Sequence, residues 1–446
     1  MKTQLVVFTR YPEPGNTKTR LISALGAEGA ALLQQRLTTQ TLNTSRTFRK
    51  RVPSVVQVQF AGRDATAMQA MFGDGIDYMP QQGQGLGERL QHAIDAAFQT
   101  DADRVIVIGA DCPQLDAATL EEAAYQLEHH DVVVGPAEDG GYYLIGMKKP
   151  QPSLFQEIPW GTSEVFLKTL TKIDTLRLKR KLLAPLSDID TPEDLVRCRA
   201  TPQLIDGILP SEVANRLSIV IPTLNEAERL ADTLQFVRSR CVSESDLEVI
   251  VADGGSTDDT AEIASENQAK VVVCNRGRGI QMNAGAAIAS GETLLFLHAD
   301  AQLPVRYDDI IQNMLRGKAV AGAFRLQIDH DTPGLRMVAR LANLRSRMLQ
   351  RPYGDQGLFL RSQTFYELGG FRNWPLMEDF EFVQRLRKRG PIGLANDAMT
   401  VSARRWQKRG VVQTTCLNQA IVLAWRIGIS PQRLATWYRG KPASSS

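Results

Sequence analysis

Thr293-Leu294-Leu295-Phe296-Leu297-His298-Ala299-Asp300 is the stretch on which the fold turns. A β-branched residue and four apolar ones in a row are too few for a helix and suit a strand buried on both faces. An aspartate then follows the strand's C-terminal end. The same arrangement occurs earlier, where Arg104–Gly109 (RVIVIG) runs into Ala110-Asp111-Cys112-Pro113. Working outward, Leu5–Phe8 opens the chain and Leu217–Ile221 opens the second half, each a strand leading into a polar loop. Strand-like runs alternate with helical patterns, so the expected class is α/β with a mostly parallel sheet. Ligands of such sheets bind beyond the carboxyl ends of the strands, where these aspartates fall. The order appears twice, which gives two tandem domains, 1–200 and 216–446. The best linker is 201–215, with Pro202 and Pro210.

Length and composition agree. A chain of 446 residues exceeds one ordinary core, and 43% hydrophobic with 23% charged residues describes a globular protein. The cysteines (Cys112, Cys198, Cys241, Cys274, Cys416) show no CxxC spacing, which reads as reduced thiols in a reducing, cytoplasmic setting. The first residues form a strand, too short for a signal peptide, and the apolar stretch Ala420–Trp425 stops at Arg426, too short to span a bilayer. The net charge of +3 hides an asymmetry: from Pro304 onward there are 23 Lys and Arg against 10 Asp and Glu. Residues 401–446 hold eight basic residues and no acid, interleaved with Trp406, Trp425, Trp437 and Tyr438. Three readings stay open for this part: a solvated basic face, a polyanionic nucleotide substrate, or peripheral contact with an anionic membrane. Nucleic acid is not an expected partner, because no helix-turn-helix, RNP or zinc pattern is present.

In the second half, SIVIP leads into Thr223-Leu224-Asn225-Glu226, and Glu248–Ala252 leads into Asp253-Gly254-Gly255-Ser256-Thr257-Asp258-Asp259-Thr260. A carboxylate after a strand can accept from the donors of a nucleoside; the same Ser and Thr also cap helices with no ligand at all. Arg276-Gly277-Arg278-Gly279 and Asn283-Ala284-Gly285 add flexible backbone and two guanidiniums suited to a diphosphate. Asp300 can anchor Mg²⁺ or Mn²⁺ while phosphates complete the shell, or serve as a turn residue. Asp379 opens a helical stretch after Pro375 and is either a general base or a first-turn acid favoured by the helix dipole.

Taken in order, TLNE, ADGGSTDDT, RGRGIQMNAGAA, LLFLHAD, YGDQGLFL, GGF, MEDFEF and SARRW make Leu217–Tyr438 resemble the family-2 glycosyltransferases of the GT-A fold. The likeness is greatest to the branch labelled arsenosugar-associated. The resemblance implies an inverting, metal-dependent transfer of a sugar from a nucleotide-sugar donor to a hydroxyl acceptor. It assigns Asp253 to the nucleoside, Asp300 to the metal and Asp379 to the base. Thr223, Glu226, Arg278, Asn283 and Arg405 complete the donor-side candidates. The chain departs from the family where a first aspartate is replaced by His298, a residue that can itself bind Mn²⁺.

The first half carries Arg10-Tyr11-Pro12-Glu13-Pro14-Gly15-Asn16-Thr17-Lys18-Thr19-Arg20, a glycine-containing loop with cations at its exit into a helix. Such a loop can cradle phosphates, although it does not have the Walker spacing. Carboxylates follow at Asp111, Asp139, Asp188 and Asp190, the last two in a segment that reads equally as a proline-led helix start. These segments resemble GT-A-like proteins related to the guanylyltransferases of cofactor biosynthesis, over residues 3–199. The resemblance implies nucleotide (NTP) binding by Lys18 and Arg20 and metal binding by Asp111, Asp139 and Asp190. Departure from the GGxSxRMG loop leaves three roles open for this domain: nucleotidyltransferase, second glycosyltransferase, or non-catalytic binding and assembly module.

Overall fold

The computed structural model describes residues 1–199 and 201–439, apart from the side chains of Pro202, Arg405, Lys408, Arg409 and Arg439. The chain forms two compact units, Met1–Asp190 and Thr191–Ser446. Each is α/β with a mixed, mostly parallel sheet.

In the first unit the strands are β1 (Thr3–Arg10), β2 (Ser54–Ala61), β3 (Asp77–Pro80), β4 (Arg104–Gly109), β5 (Val132–Pro136), β6 (Tyr142–Met147) and β7 (Arg180–Leu182). Their order is β3-β2-β1-β4-β6-β5-β7. β1 runs parallel to β2 and β4, and β6 is antiparallel to both neighbours. Alternation along β1 covers both faces: Leu5 and Val7 enter one core with Phe48, Val58 and Ile106, while Val6 enters the other with Val105, Val107 and Ile145.

The second unit has β8 (Val213–Thr223), β9 (Leu247–Asp253), β10 (Lys270–Val273), β11 (Gly291–Phe296), β12 (Ala301–Gln302), β13 (Ala321–Ile328), β14 (Leu358–Arg361) and β15 (Ile392–Val401). The order is β10-β9-β8-β11-β14-β13-β15-β12, with β14 the antiparallel member between β11 and β13. Without the two-residue β12, this is the strand order of the first unit.

The stretch expected as a linker is structured. Pro202–Ile205 is helical, β8 already begins at Val213, and Leu204, Ile205 and Leu209 are buried. Arg199 donates to the carbonyls of Ala287, Ala289 and Pro210, so it caps the C-terminal end of the helix Arg278–Ile288. The prolines signal a local break, but the apolar residues between them belong to a core. The division between compact units falls ahead of them, at Asp190/Thr191.

Candidate functional site

Beyond the ends of β8 and β9, Asp253 is buried and saturated by its own turn. It accepts from the amides of Gly255 (3.1 Å) and Ser256 (2.9 Å), from the Ser256 hydroxyl, and from Thr223 Oγ1 at 3.4 Å. Asn225, with φ 55°, receives the Thr257 amide on its side chain at 2.9 Å and donates its own amide to Ser256 Oγ. Thr223 is buried as well and faces this carboxylate. The loop is thus held by hydrogen bonds among its own residues.

Beyond β11, His298 and Asp300 are half-buried on either side of Ala299, whose carbonyl accepts from Thr233 Oγ1 at 2.6 Å. The Glu226 carboxyl is held above its ordinary range, first by burial and then by the charge of Asp300, with Arg404 and Arg229 opposing. A hard divalent cation would fit beside these two carboxylates, because its charge would add to that of the two arginines in relieving their repulsion. No group of three or more His, Cys, Asp and Glu side chains converges as a ready-made cage among the described residues, so phosphate oxygens would have to complete the shell.

Asp379 lies in the first turn of the helix Glu378–Arg389, which starts after Met377 at φ 72°. Its Oδ2 accepts the Gly354 amide at 2.7 Å, and its Oδ1 the Phe380 amide at 2.7 Å. A Cβ on Gly354 would stand 3.0 Å from that Oδ2, so any larger residue would crowd the carboxylate. Glu378 beside it is buried, and its carboxyl is pushed up to about 7 by burial and by the charge of Asp379, with Arg278 opposing. Glu381 pairs with Arg385, whose guanidinium also holds the carbonyls of Leu368 and Gly370, fixing the GGF turn behind the helix.

One helix ties these places together. In Arg278–Ile288, Gln281 donates to the carbonyls of Thr223 (2.5 Å) and Ala252 (3.0 Å) at the ends of β8 and β9. Two residues earlier, a Cβ on Gly279 would meet the Arg372 carbonyl at 2.8 Å and Glu378 Cβ at 3.3 Å. Asn283 bonds both the carbonyl and the amide of Phe371 at 2.8 Å. Asn283 is thus spent on positioning the GGF turn instead of presenting its amide to a donor. Arg278, at the helix start, is exposed and its charge acts on Glu378. Gln281 and the buried Glu378 are the participants that the motif reading did not single out. The i, i+4 spacing of Gly279 and Asn283 was visible, but the partners they meet at 371–378 lie far along the chain. Arg405 has no described side chain, and the Trp406 ring is buried in the main core of the unit.

In the first unit, Lys18 sits in the left-handed region (φ 48°) with its side chain only 5% exposed, 3.6 Å from Asp111 and 3.4 Å from Asp190. Burial pulls the amine's pKa down, but Asp111, Asp190 and Asp188 outweigh it and hold the pKa above the ordinary lysine value. Arg20 reaches Asp190 at 3.0 Å from an exposed position. Asp139 is exposed and accepts the Gly141 amide at 2.8 Å in its own turn. Burial and the charges of Asp111, Asp188 and Asp139 push the Cys112 thiol upward, with Lys18 opposing, so the four charged groups lie around one place. The proline-led start is also real: Thr191 and Asp194 form a capping box, which leaves Asp190 to Lys18.

Residues 218–372 match the family described as Glycosyl transferase family 2, and residues 44–162 match one described as Uncharacterized protein conserved in bacteria (DUF2064). A PGL/p-HBAD biosynthesis glycosyltransferase of Mycobacterium bovis (strain BCG / Pasteur 1173P2) is 29% identical over 262 residues, 48% of this chain and 98% of the relative. An undecaprenyl-phosphate 4-deoxy-4-formamido-L-arabinose transferase of Enterobacter sp. (strain 638) is 30% identical over 166 residues, 34% of this chain and 49% of that protein. A solved structure described as a nucleotide-diphospho-sugar transferase of Desulfovibrio desulfuricans G20 shares 33% identity over 46% of this chain and 89% of its own, with a TM-score of 0.42.

Proposed function

We propose that this chain, whose second half carries a family-2 glycosyltransferase domain, moves a sugar from a nucleotide-sugar donor to a hydroxyl acceptor with inversion. The observation that carries the reading is the helix Arg278–Ile288, which pins the Asp253 loop with Gln281 and packs Gly279 against the Glu378–Asp379 turn. A donor-side carboxylate and a base-side carboxylate are thereby held to one rigid element. The Asp253 turn receives the nucleoside, and Arg278 draws in the diphosphate. Asp379, oriented by the Gly354 amide, takes the proton of the acceptor hydroxyl as it attacks the anomeric carbon. Mg²⁺ or Mn²⁺, held by Asp300 with His298 and Glu226 beside it, supplies positive charge to the leaving diphosphate when bound. Glu378, protonated more readily than an ordinary carboxyl, keeps the charge beside Asp379 from doubling.

For the first unit we propose nucleotide binding at Lys18 and Arg20, with Asp111 and Asp190 able to accept a metal that accompanies an NTP. Pyrophosphate release by the isolated unit would mark it as a nucleotidyltransferase; binding without turnover would mark it as an assembly module. Among the described residues no helix is long and apolar enough to cross a membrane.

Thermal unfolding with a panel of nucleotide sugars and Mn²⁺ tests the main reading. A donor at one hundred times its Kd should add about 2.7 kcal/mol to the native state. A panel in which no nucleotide sugar stabilises the protein would overturn it.

A further inference from the structure

The helix Pro333–Leu349 is apolar on the wrong side for a core helix. Leu335, Ala342 and Ser346 are buried and face the protein. On the opposite side, Met337, Leu341, Leu344 and Met348 are 57%, 53%, 57% and 71% exposed. At 100° per residue these four fall within roughly 60° of one another, a continuous outward stripe. Exposed Arg336, Arg340 and Arg347 make a second row along its flank, with Arg336 paired to Asp331 at 3.0 Å. From Thr332 to Gly354 the sequence has five arginines and no acid.

A second helix adds an apolar face of its own. Val411–Arg426 packs Leu417 and Ile421 toward Met377 and Phe380, on the base helix. Its other side carries Val412 and Leu423, and just past its end Ile427, at 76%, 62% and 73% exposure. The two helices meet where Gly334 lies against Val411. Arg351, whose Nε is buried with no hydrogen-bond partner among the described residues, lies within reach of the charges of Arg387 and Arg426, a cationic spot that a lipid phosphate would suit.

We infer that these two helix faces form a docking surface for an anionic phospholipid bilayer, and that the acceptor is correspondingly an amphiphile presented at that surface. An apolar stripe flanked by arginines beside a second apolar face, with no spanning helix among the described residues, matches helices lying in the interface plane. A soluble protein partner would have to cover two apolar faces beside which the carboxylate of Asp331 is already paired with Arg336 at 3.0 Å, leaving Arg340 and Arg347 to face an anionic surface. The surface also connects to the base: Arg345 stacks on the Tyr353 ring at 3.4 Å, Tyr353 packs against Phe380, and the next residue, Gly354, donates to Asp379. The acceptor class rests on the sugar-transfer reading; the docking surface does not.

The test is co-sedimentation of the full chain with phosphatidylcholine vesicles containing phosphatidylglycerol, against phosphatidylcholine alone, at low and high salt. Donor binding and oligomeric state are measured on the same samples. Binding to the anionic vesicles that weakens with salt is expected. Replacing Arg336, Arg340 and Arg347 with Gln should weaken it by roughly a hundredfold. Replacing Met337, Leu341, Leu344 and Met348 with Gln should abolish it while donor binding persists. All seven side chains are exposed, so either variant can serve should the other fail to fold. Equal indifference to both vesicles at low salt, or binding that survives both variants, overturns the proposal. So does a dimer that the apolar variant dissociates without any vesicle binding, which would give the face to a second copy. Vesicle binding with no donor binding would leave the surface standing and remove the sugar-transfer reading.

Discussion

The two units share a strand order and differ in how they balance charge at the same edge of the sheet. In the first, the aspartate after β4 faces a buried lysine: Lys18 lies between Asp111 and Asp190 and is held in its charged form by them. In the second, the aspartate after β11, Asp300, faces another carboxylate, and Glu226 is pushed above its ordinary range partly by that charge. One edge carries a buried cation between its carboxylates; at the other, under the proposed function, a divalent cation would join Arg404 and Arg229 in offsetting them. A common sheet thus fixes where chemistry occurs, and a few loop residues decide which ions the place accepts.

The largest effect expected is on turnover in the second unit. Asp379→Asn keeps an oxygen for the Gly354 amide but loses the basic one, so kcat should fall by about 10²–10⁴ with donor affinity nearly unchanged. Transfer at the wild-type rate would move the base elsewhere.

The internal cation of the first unit gives the next effect. Lys18→Met leaves Asp111, Asp188 and Asp190 facing one another, which should cost about 2–3 kcal/mol in denaturant unfolding. That is less than for a fully enclosed pair, because Asp111 and Asp190 are each 41% exposed. The variant should also recover stability with added Mn²⁺, which would make the first edge behave like the second. An unchanged midpoint with and without the ion would dissolve the contrast between the units.

Glu378 sharpens the comparison through pH. Its folded pKa, about 7, lies above the ordinary carboxyl value, so the stability it contributes is full below about 4.5 and is lost as pH rises through about 7. Glu378→Gln should flatten the stability profile in that window and gain about 2 kcal/mol at pH 8. A profile with the wild-type slope would assign the titration to another group.

Much of this was legible in the sequence, for identifiable reasons. Strands such as Arg104–Gly109 and Gly291–Phe296 are buried on both faces, so their apolar runs are unbroken, and an aspartate past such a run marks the working edge. Asp253, Asp300, Asp379, Lys18 and Asp111 all lie at such edges or at the loop and helix ends that serve them. What escaped depends on distant partners. Nothing near Asn283 says that its amide is committed to Phe371, and nothing near Gln281 shows that it spans β8 and β9. The proline-bearing stretch 201–215 looked like a linker because prolines are local signals, whereas burial of Leu204 and Leu209 is a tertiary fact.

The most direct test of the account is calorimetric donor binding by the full chain, in Mn²⁺ and in EDTA, for wild type and Asp300→Ala. Wild type should bind a nucleotide sugar at least roughly tenfold more tightly with Mn²⁺, a difference of about 1.4 kcal/mol. The variant should bind equally in both conditions, at the wild-type EDTA affinity, because the carboxylate acts through the ion. A variant whose donor affinity still rises with Mn²⁺ as much as the wild type's would contradict the claim that the second edge is completed by an external cation at Asp300.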